Sequence, residues 1–195
     1  MNLRSDVSSK SLGVCVALIN ERFPIDVENK EELAMFFVDH ACSIETSDPT
    51  SIGLEEFSVI KMRRTRSGAK STKPFNIVIN WKQLVNSAPA MVSTVLGSLT
   101  DIWMSFLAGL TLISQLRGFA DIELTKHHAE LVMIISENEP VSLSRVREIF
   151  TEKLTDSEAA ESEEIFISCV CNLEKIKAIK VSDNQIKMVE RIRYD

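Results

Sequence analysis

Residues 155–188, TDSEAAESEEIFISCVCNLEKIKAIKVSDNQIKM, decide the fold of the C-terminal third of this chain. Thr155 and Glu158 have the spacing of a capping box, in which two side chains satisfy the free amides at a helix start. Apolar side chains then follow at intervals of four, four and three: Ile165, Cys169, Leu173 and Ile176. This spacing places them on one face of a helix, so the sequence predicts a helix that begins at the capping box.

A β-hairpin is predicted directly after this helix. Two short runs with strand character, 178–181 and 185–193, flank the sequence Ser182-Asp183-Asn184. That composition is typical of a tight hairpin turn.

Two further helices are predicted before residue 155. They span Thr125 to Asn138 and Ser142 to Leu154, and Asn138-Glu-Pro-Val141 separates them. Three helices and a hairpin within about seventy residues is the order of a winged helix, a variant of the helix-turn-helix. The alternative is a plain three-helix unit with an appended hairpin.

The third helix has an unusual charge for a winged helix. In DNA-reading members the N-terminal end of this helix approaches the base edges. Here that end carries Glu158, Glu161, Glu163 and Glu164, and no Lys or Arg occurs between them and Lys175. Carboxylates would be repelled by the phosphates that line the groove. The pattern therefore favours a protein-binding winged helix, with Glu158, Glu161 and Glu164 as candidate partner contacts, while a plain solvent-facing surface stays open.

The N-terminal part predicts further helices and two strands. Helices are expected over 8–22 and 30–44, although the apolar run 12–19 is also compatible with a strand. Strands are expected over 57–66 and 75–80, and we expect them to pair as a hairpin. A short helix at 81–85 and a long apolar helix over 90–117 follow. Gly118-Phe-Ala-Asp121 is the predicted boundary between an N-terminal α+β domain, 1–120, and a winged-helix domain, 121–195. The predicted class is α+β, mainly helical.

The predicted helix 90–117 is poor in charge. Between Ala88 and Leu116 the only charged residue is Asp101. The length suits a membrane span, but an ionised carboxylate near the middle of a span is costly. A helix buried in the fold or against a partner is the preferred interpretation. Because exposed apolar surface of this size usually marks an interface, Trp103 and Phe106 are candidate partner contacts.

The predicted hairpin 57–80 is strongly basic. Six cations lie within thirteen residues: Lys61, Arg63, Arg64, Arg66, Lys70 and Lys73. Such a loop is able to bind a phosphate backbone without reading sequence or to dock on an acidic partner. A solvated edge hairpin kept soluble by its charges is the remaining alternative.

Composition argues against catalysis and metal binding. The chain has 195 residues, a net charge of −6, three His and four Cys. The sequence contains no Cys-x-x-Cys motif, and no second group of metal ligands accompanies His127. It also offers no pairing of a nucleophile with a general base. We therefore expect no metal, no cofactor and no enzymatic activity. The N-terminal ten residues lack the apolar run of a secretion signal, and we expect a cytoplasmic protein.

Several segments carry a resemblance to a known group of proteins. Phe75-Asn-Ile-Val-Ile-Asn-Trp81, the apolar helix after Pro89, the segment Ile122 to Val132 and the closing segment Met188 to Tyr194 resemble small bacterial proteins with a C-terminal winged helix. Some of these are similar to the small middle subunit of three-component, Lamassu-type anti-phage defence systems. The resemblance implies a non-enzymatic partner of a large ATPase related to the chromosome-maintenance class and of an effector.

Three functional hypotheses follow. The first is a non-catalytic interaction subunit of a multi-protein complex, of the anti-phage or anti-plasmid defence type that the resemblance implies. The second is a winged-helix transcriptional regulator that contacts DNA through the basic hairpin. The third is a membrane-anchored adaptor built on helix 90–117.

Overall fold

The computed structural model describes residues 3–27, 29–46, 58–60, 75–91, 102–119, 121–189 and 191–194. Seven α-helices lie in these ranges: α1 Leu3–Arg22, α2 Lys30–Ala41, α3 Trp81–Met91, α4 Trp103–Leu116, α5 Lys126–Asn138, α6 Leu143–Lys153 and α7 Ser162–Lys175. The strands are β1 Cys42–Thr46, β2 Ser58–Ile60, β3 Phe75–Ile79, β4 Val141–Ser142, β5 Ile179–Ser182, β6 Gln185–Met188 and β7 Arg191–Tyr194. The prediction of a mainly helical α+β fold is confirmed.

The strands form two small sheets. The first has the order β1-β3-β7-β2 and the second the order β4-β6-β5. In the first sheet β3 is antiparallel to both β1 and β7, whereas β2 runs parallel to β7. In the second sheet β6 is antiparallel to β4 and to β5.

The predicted basic hairpin is wrong in its pairing. We expected strands 57–66 and 75–80 to be neighbours, but β7 lies between β2 and β3. The other partner of β3 is β1. The first residues of β1, 42–44, were predicted to belong to helix 30–44. Strand pairing depends on the tertiary fold, and apolar alternation alone does not identify the partner. The six predicted cations of this hairpin, residues 61–73, lie outside the described residues.

The predicted long apolar helix over 90–117 is also wrong. The short helix predicted at 81–85 continues to Met91, and Pro89 lies in its last turn instead of opening a new helix. The apolar helix α4 begins at Trp103 and has 14 residues. A run without charge is compatible with a helix but does not specify where that helix begins.

Helix α4 is the centre of the chain's own core. It packs against α1, α2, α3 and α5, and its residues 105–114 are all buried. A helix that is apolar on every side needs to be covered on every side, and the other helices supply this cover. The predicted exposed apolar face on this segment is therefore absent from α4. Within the described residues, no helix combines the length and the apolar character that crossing a membrane requires.

A glycine allows a close contact between a helix and two aromatic rings in this core. Helix α4 crosses two buried rings at Gly109, where a Cβ would lie 2.7 Å from Cη2 of Trp81 and 2.8 Å from two atoms of the Phe37 ring. Real Cβ atoms essentially never come this close to other heavy atoms, and rigid buried rings leave little room to relax.

We predict that Gly109→Ala destabilises the fold. Alanine is a better helix former than glycine by about 1 kcal/mol, but overpacking a rigid core costs about 1–3 kcal/mol, so the clash is expected to win. The matched control is Gly13→Ala in α1, because a Cβ there meets nothing within 4 Å. Urea denaturation should show a lower unfolding free energy for Gly109→Ala and an equal or higher one for Gly13→Ala. Equal effects at both positions would contradict the packing.

The C-terminal segment contains the helices and the hairpin predicted for it. Helices α5 and α6 agree with the predicted ranges to within one residue, and β5 and β6 form the predicted hairpin. Asp183 and Asn184 adopt positive φ angles of 50° and 60° at its turn, as a tight hairpin requires.

The start of the third helix and the end of the chain differ from the prediction. Glu158 does bond to Thr155, but a 3-10 turn, Ala159–Glu161, follows, and α7 begins only at Ser162. The predicted strand 185–193 is two strands, because β6 ends at Met188 and β7 joins the first sheet. The division into domains 1–120 and 121–195 stays a prediction, with a strand of the second segment paired in the sheet of the first.

Candidate protein-binding surface

Helix α7 presents one exposed face, which we call the α7 surface. It consists of Glu163, Glu164, Ile167, Ser168, Cys171, Glu174 and Lys175, all exposed. The opposite face, with Phe166, Cys169 and Leu173, is buried in the core. Spacings of three and four residues place side chains on the same helix face, so these exposed residues form one continuous strip.

Ile167 is the apolar centre of this strip. Its side chain is 49% exposed, and it is one of three large exposed apolar residues in the described part of the chain, with Val14 and Met35. Helical spacing places it beside Glu163 and Glu164 on one side and beside Cys171 on the other. The sequence contained a signal for this position, because residue 167 is two places from Ile165 and thus off the predicted apolar face.

The α7 surface carries three carboxylates and one ammonium: Glu163 and Glu164 lie in the first turn, and Glu174 lies beside Lys175 in the last turn. Glu163 forms an ion pair with Arg147 of α6, whereas Glu164 and Glu174 have no ion-pair partner among the described residues. Acid in the first turn stabilises a helix through its dipole, but acid in the last turn is opposed by it. Glu174, in the last turn, is therefore unfavourable for the isolated helix.

A buried guanidinium fixes the C-terminal end of α7. Arg117, just after α4, donates from Nη1 to the carbonyl oxygens of Ile176 (2.7 Å) and Lys177 (2.5 Å). Burial lowers the pKa of Arg117 to about 10, so the group keeps its charge at neutral pH. A positive charge at a helix C-terminus is favourable, and the contact ties α7 to the central helix α4.

A buried histidine contacts α7 near its C-terminal end, at Asn172. Nδ1 of His128 accepts from the backbone N–H of Thr125 at 3.1 Å, and Nε2 lies 3.2 Å from the side-chain amide of Asn172 in α7. Nδ1 also lies 2.9 Å from the Thr125 hydroxyl, and the Asn172 atom that faces Nε2 is the amide nitrogen Nδ2, so both ring nitrogens have a polar neighbour. Burial, and then the neighbouring His127, lower the pKa of His128 to about 4.

Among the predicted partner contacts, the acidic residues differ in position. Glu161 and Glu164 are exposed. Glu158 is held in its own turn: Oε2 accepts from the backbone N–H and the hydroxyl of Thr155, and Oε1 lies 3.1 Å from Nε2 of His127. The bonds from Thr155 hold the pKa of Glu158 below its usual range. Glu158 therefore caps a turn, and it has less freedom to meet a partner than Glu161 and Glu164.

The two predicted aromatic contacts also differ. Trp103 is half-buried at the start of α4, with the Lys126 ammonium 5.9 Å from its ring centre. Phe106 is 0% exposed and stacks on Trp81, with ring centres 6.0 Å apart and planes 9° from parallel. A fully buried ring cannot contact a partner, so Phe106 is a core residue and its predicted role is wrong.

The clearest cavity in the described residues lies away from α7. It has a volume of about 300 Å³ and lies between the end of α1, helix α4 and the segment 121–124. The hydroxyls of Thr111 and Ser114 line it, but each donates to a backbone carbonyl, of Leu107 and Phe119 respectively. Within the described ranges, no cluster of three or more His, Cys, Asp or Glu side chains is arranged to hold a metal ion.

The four thiols are predicted to react at different rates, because Cys171 is exposed and the others are at least partly covered. Burial raises the pKa of Cys15 to about 11 and that of Cys169 to about 12, and it raises the pKa of Cys42 well above its usual range. Since the thiolate is the nucleophile, iodoacetamide at pH 8 should modify Cys171 first. Peptide mass spectrometry after brief alkylation gives the order directly. Fast reaction of Cys169 would contradict the orientation of α7.

Comparisons with protein-family models, with curated proteins and with solved structures found nothing that matches this chain.

Proposed function

We propose that this chain is a non-catalytic accessory subunit of a cytoplasmic multi-protein complex, and that its residues 121–195 form a winged helix that binds protein. The order of elements supports the winged helix: α5, strand β4, α6, α7 and then the β5–β6 hairpin. Strand β4, between the first two helices, pairs with the second strand of the hairpin. On this proposal α7 corresponds to the helix that reads DNA in helix-turn-helix proteins.

The charge of α7 is the observation that carries the protein-binding role. Residues 155–175, from the turn before α7 to the end of that helix, contain six acidic residues and one basic residue, Lys175. Phosphate binding depends on Lys and Arg, and this helix offers a single Lys, at its last residue, against three carboxylates and an exposed isoleucine. A surface of that kind is complementary to protein side chains.

The resemblance to middle subunits of three-component defence systems suggests the kind of complex. On this proposal the chain joins a large ATPase of the chromosome-maintenance class and an effector. DNA is then contacted by the complex, or by the basic segment 61–73, and not by α7.

A tagged pull-down from cells expressing the native gene neighbourhood tests the proposal. Mass spectrometry should recover at least one other protein, a large ATPase on our proposal, in a fixed molar ratio to this chain after washing at moderate salt. Recovery of the chain alone would contradict it.

The rival function, a DNA-binding regulator, makes a different prediction. It requires salt-sensitive binding to duplex DNA that weakens when Arg63, Arg64 and Arg66 are replaced by Ala. Fluorescence anisotropy at low salt measures this binding. We expect substitutions on the α7 surface to leave any such binding no weaker, because carboxylates do not hold phosphates.

A further inference from the structure

We infer that the cavity beside α4 binds a small aliphatic amine through its primary ammonium group. This site lies away from the α7 surface, and the inference does not depend on the proposed subunit function. Three observations carry it. The cavity has room for a small molecule, its buried end offers hydroxyl oxygens that are free only to accept hydrogen bonds, and its exposed end carries two unpaired carboxylates.

The cavity has a buried end and an exposed end. Its volume of about 300 Å³ lies at the lower end of the range for small-molecule sites, about 300–1,000 Å³. Thr111 and Ser114 of α4, each 2% exposed, lie at the buried end. Asp121 and Glu123, both exposed, lie at the other end. A small molecule that enters past the carboxylates therefore meets the hydroxyls at its inner end.

The two hydroxyls have each used their single proton. Oγ1 of Thr111 donates to the carbonyl oxygen of Leu107 at 2.8 Å, and Oγ of Ser114 donates to that of Phe119 at 2.7 Å. A hydroxyl has one donor and two acceptor lone pairs, so the capacity that remains on both groups is to accept. The buried end therefore favours a ligand group with N–H donors and disfavours a carboxylate or a phosphate, which only accept.

The charged side chains that line the cavity are one guanidinium and two carboxylates. Arg22, at the end of α1, lies 3.7 Å from Glu21, and both of these side chains are more than half exposed. The charge of Arg22 is thus balanced by a neighbour on its own helix. Asp121 and Glu123 have no ion-pair partner among the described residues. The surplus charge at the cavity is negative, and it attracts a cation more strongly there than in open water because the protein displaces solvent.

A primary ammonium on an aliphatic stem has the chemistry that this lining recognises. The ammonium group has three donors and no acceptor, and the hydroxyl oxygens and the carboxylates supply acceptors only. The stem suits the apolar part of the lining, which is Pro24, Ile122 and Leu124. Because the cavity is small, the ligand is a free amine of a few carbons and not a larger molecule.

Isothermal titration calorimetry of the purified chain with putrescine at low salt tests the inference. We expect saturable binding of putrescine and none of 1,4-butanediol or succinate, which have the same four-carbon stem without an ammonium. Asp121→Asn with Glu123→Gln should weaken the binding about tenfold or more. Both positions are exposed, so these variants keep the fold. Thr111→Val, which keeps the shape of the side chain and removes the acceptor, should weaken the binding several-fold.

The matched control removes the same charge elsewhere. Glu137→Gln with Glu152→Gln changes exposed positions near the C-terminal ends of α5 and α6 and should leave putrescine binding unchanged. Absence of saturable binding, or equal weakening by the two pairs of substitutions, would overturn the inference, because the latter result means diffuse attraction to an acidic protein. Tighter binding of Nα-acetyl-lysine methylamide than of putrescine would also overturn it, since the site would then accept a lysine side chain of another protein.

Discussion

Replacement of Phe106 by alanine is expected to lower the free energy of unfolding by about 3–5 kcal/mol. The ring is fully buried in α4 and stacks on Trp81, which itself is 1% exposed. Removing it leaves a cavity between rigid helices that cannot collapse fully. Urea denaturation followed by far-UV circular dichroism measures the loss, and Phe106→Leu, a smaller reduction in volume, keeps the measurement possible if the alanine variant does not fold.

The matched control for this experiment is Ile167→Ala. Ile167 is half-exposed, so the same kind of truncation should change stability by no more than about 0.5 kcal/mol while it weakens partner binding. The two variants therefore separate a core residue from a surface residue. If Phe106→Ala left the denaturation midpoint unchanged but abolished partner binding, Phe106 would be an interface residue. That result would contradict the described core.

Acid is expected to destabilise the fold through His128. In the unfolded chain this imidazole has its ordinary pKa of 6.5, and burial lowers the pKa to about 4 in the folded state. The folded protein therefore binds the proton less well than the unfolded chain does. The stability contributed by the neutral ring is fully present above pH 6.5 and is lost as the pH falls from 6.5 to about 4. The pKa difference corresponds to about 3 kcal/mol at the acid limit.

The measurement is the free energy of unfolding at pH 7 and at pH 4.5, in the unmodified chain and in His128→Gln. Other groups titrate in both proteins, so the quantity of interest is the difference between their pH dependences. The unmodified chain should lose about 2 kcal/mol more than the variant over this interval. The control His127→Gln should keep most of the unmodified chain's pH dependence, because burial is the larger cause of the shift at His128. Identical pH dependences for the unmodified chain and His128→Gln would refute the buried, neutral ring.

The C-terminal helices and hairpin could be predicted because their signals are local. The break around Pro140, the cap at Ser142 and the turn at Asp183-Asn184 each act within a few residues, and the structure has all three. The start of α7 was predicted less accurately. The hydrogen bonds between Thr155 and Glu158 close a turn, and this turn continues as a 3-10 turn before α7 begins.

The N-terminal sheet could not be predicted, because its partners are distant in the sequence. Strand β7 joins β3 and β2 from the far end of the chain, and β1 follows a helix without a break in composition. The alternation of apolar and polar residues predicts a strand, but it does not identify the strand that pairs with it.

The candidate site was predicted in part. The acidic character of the third helix was readable from sequence, and Glu161 and Glu164 lie exposed as expected. Phe106 was misassigned because a charge-poor run shows that a helix is buried but not what buries it. Ile167 could not be singled out from the sequence, because Phe166 and Val170 also lie off the predicted apolar face and the structure covers them more than Ile167.

The central claim is that this chain works by binding protein, and the molar mass of the purified material tests it most directly. Light scattering during size-exclusion chromatography gives the mass of the protein purified with its native gene neighbourhood, before and after nuclease treatment. Our account predicts a complex of this chain with at least one different protein, with a mass that nuclease does not change. A species that contains only this chain, or one whose mass falls when nucleic acid is digested, would contradict the account.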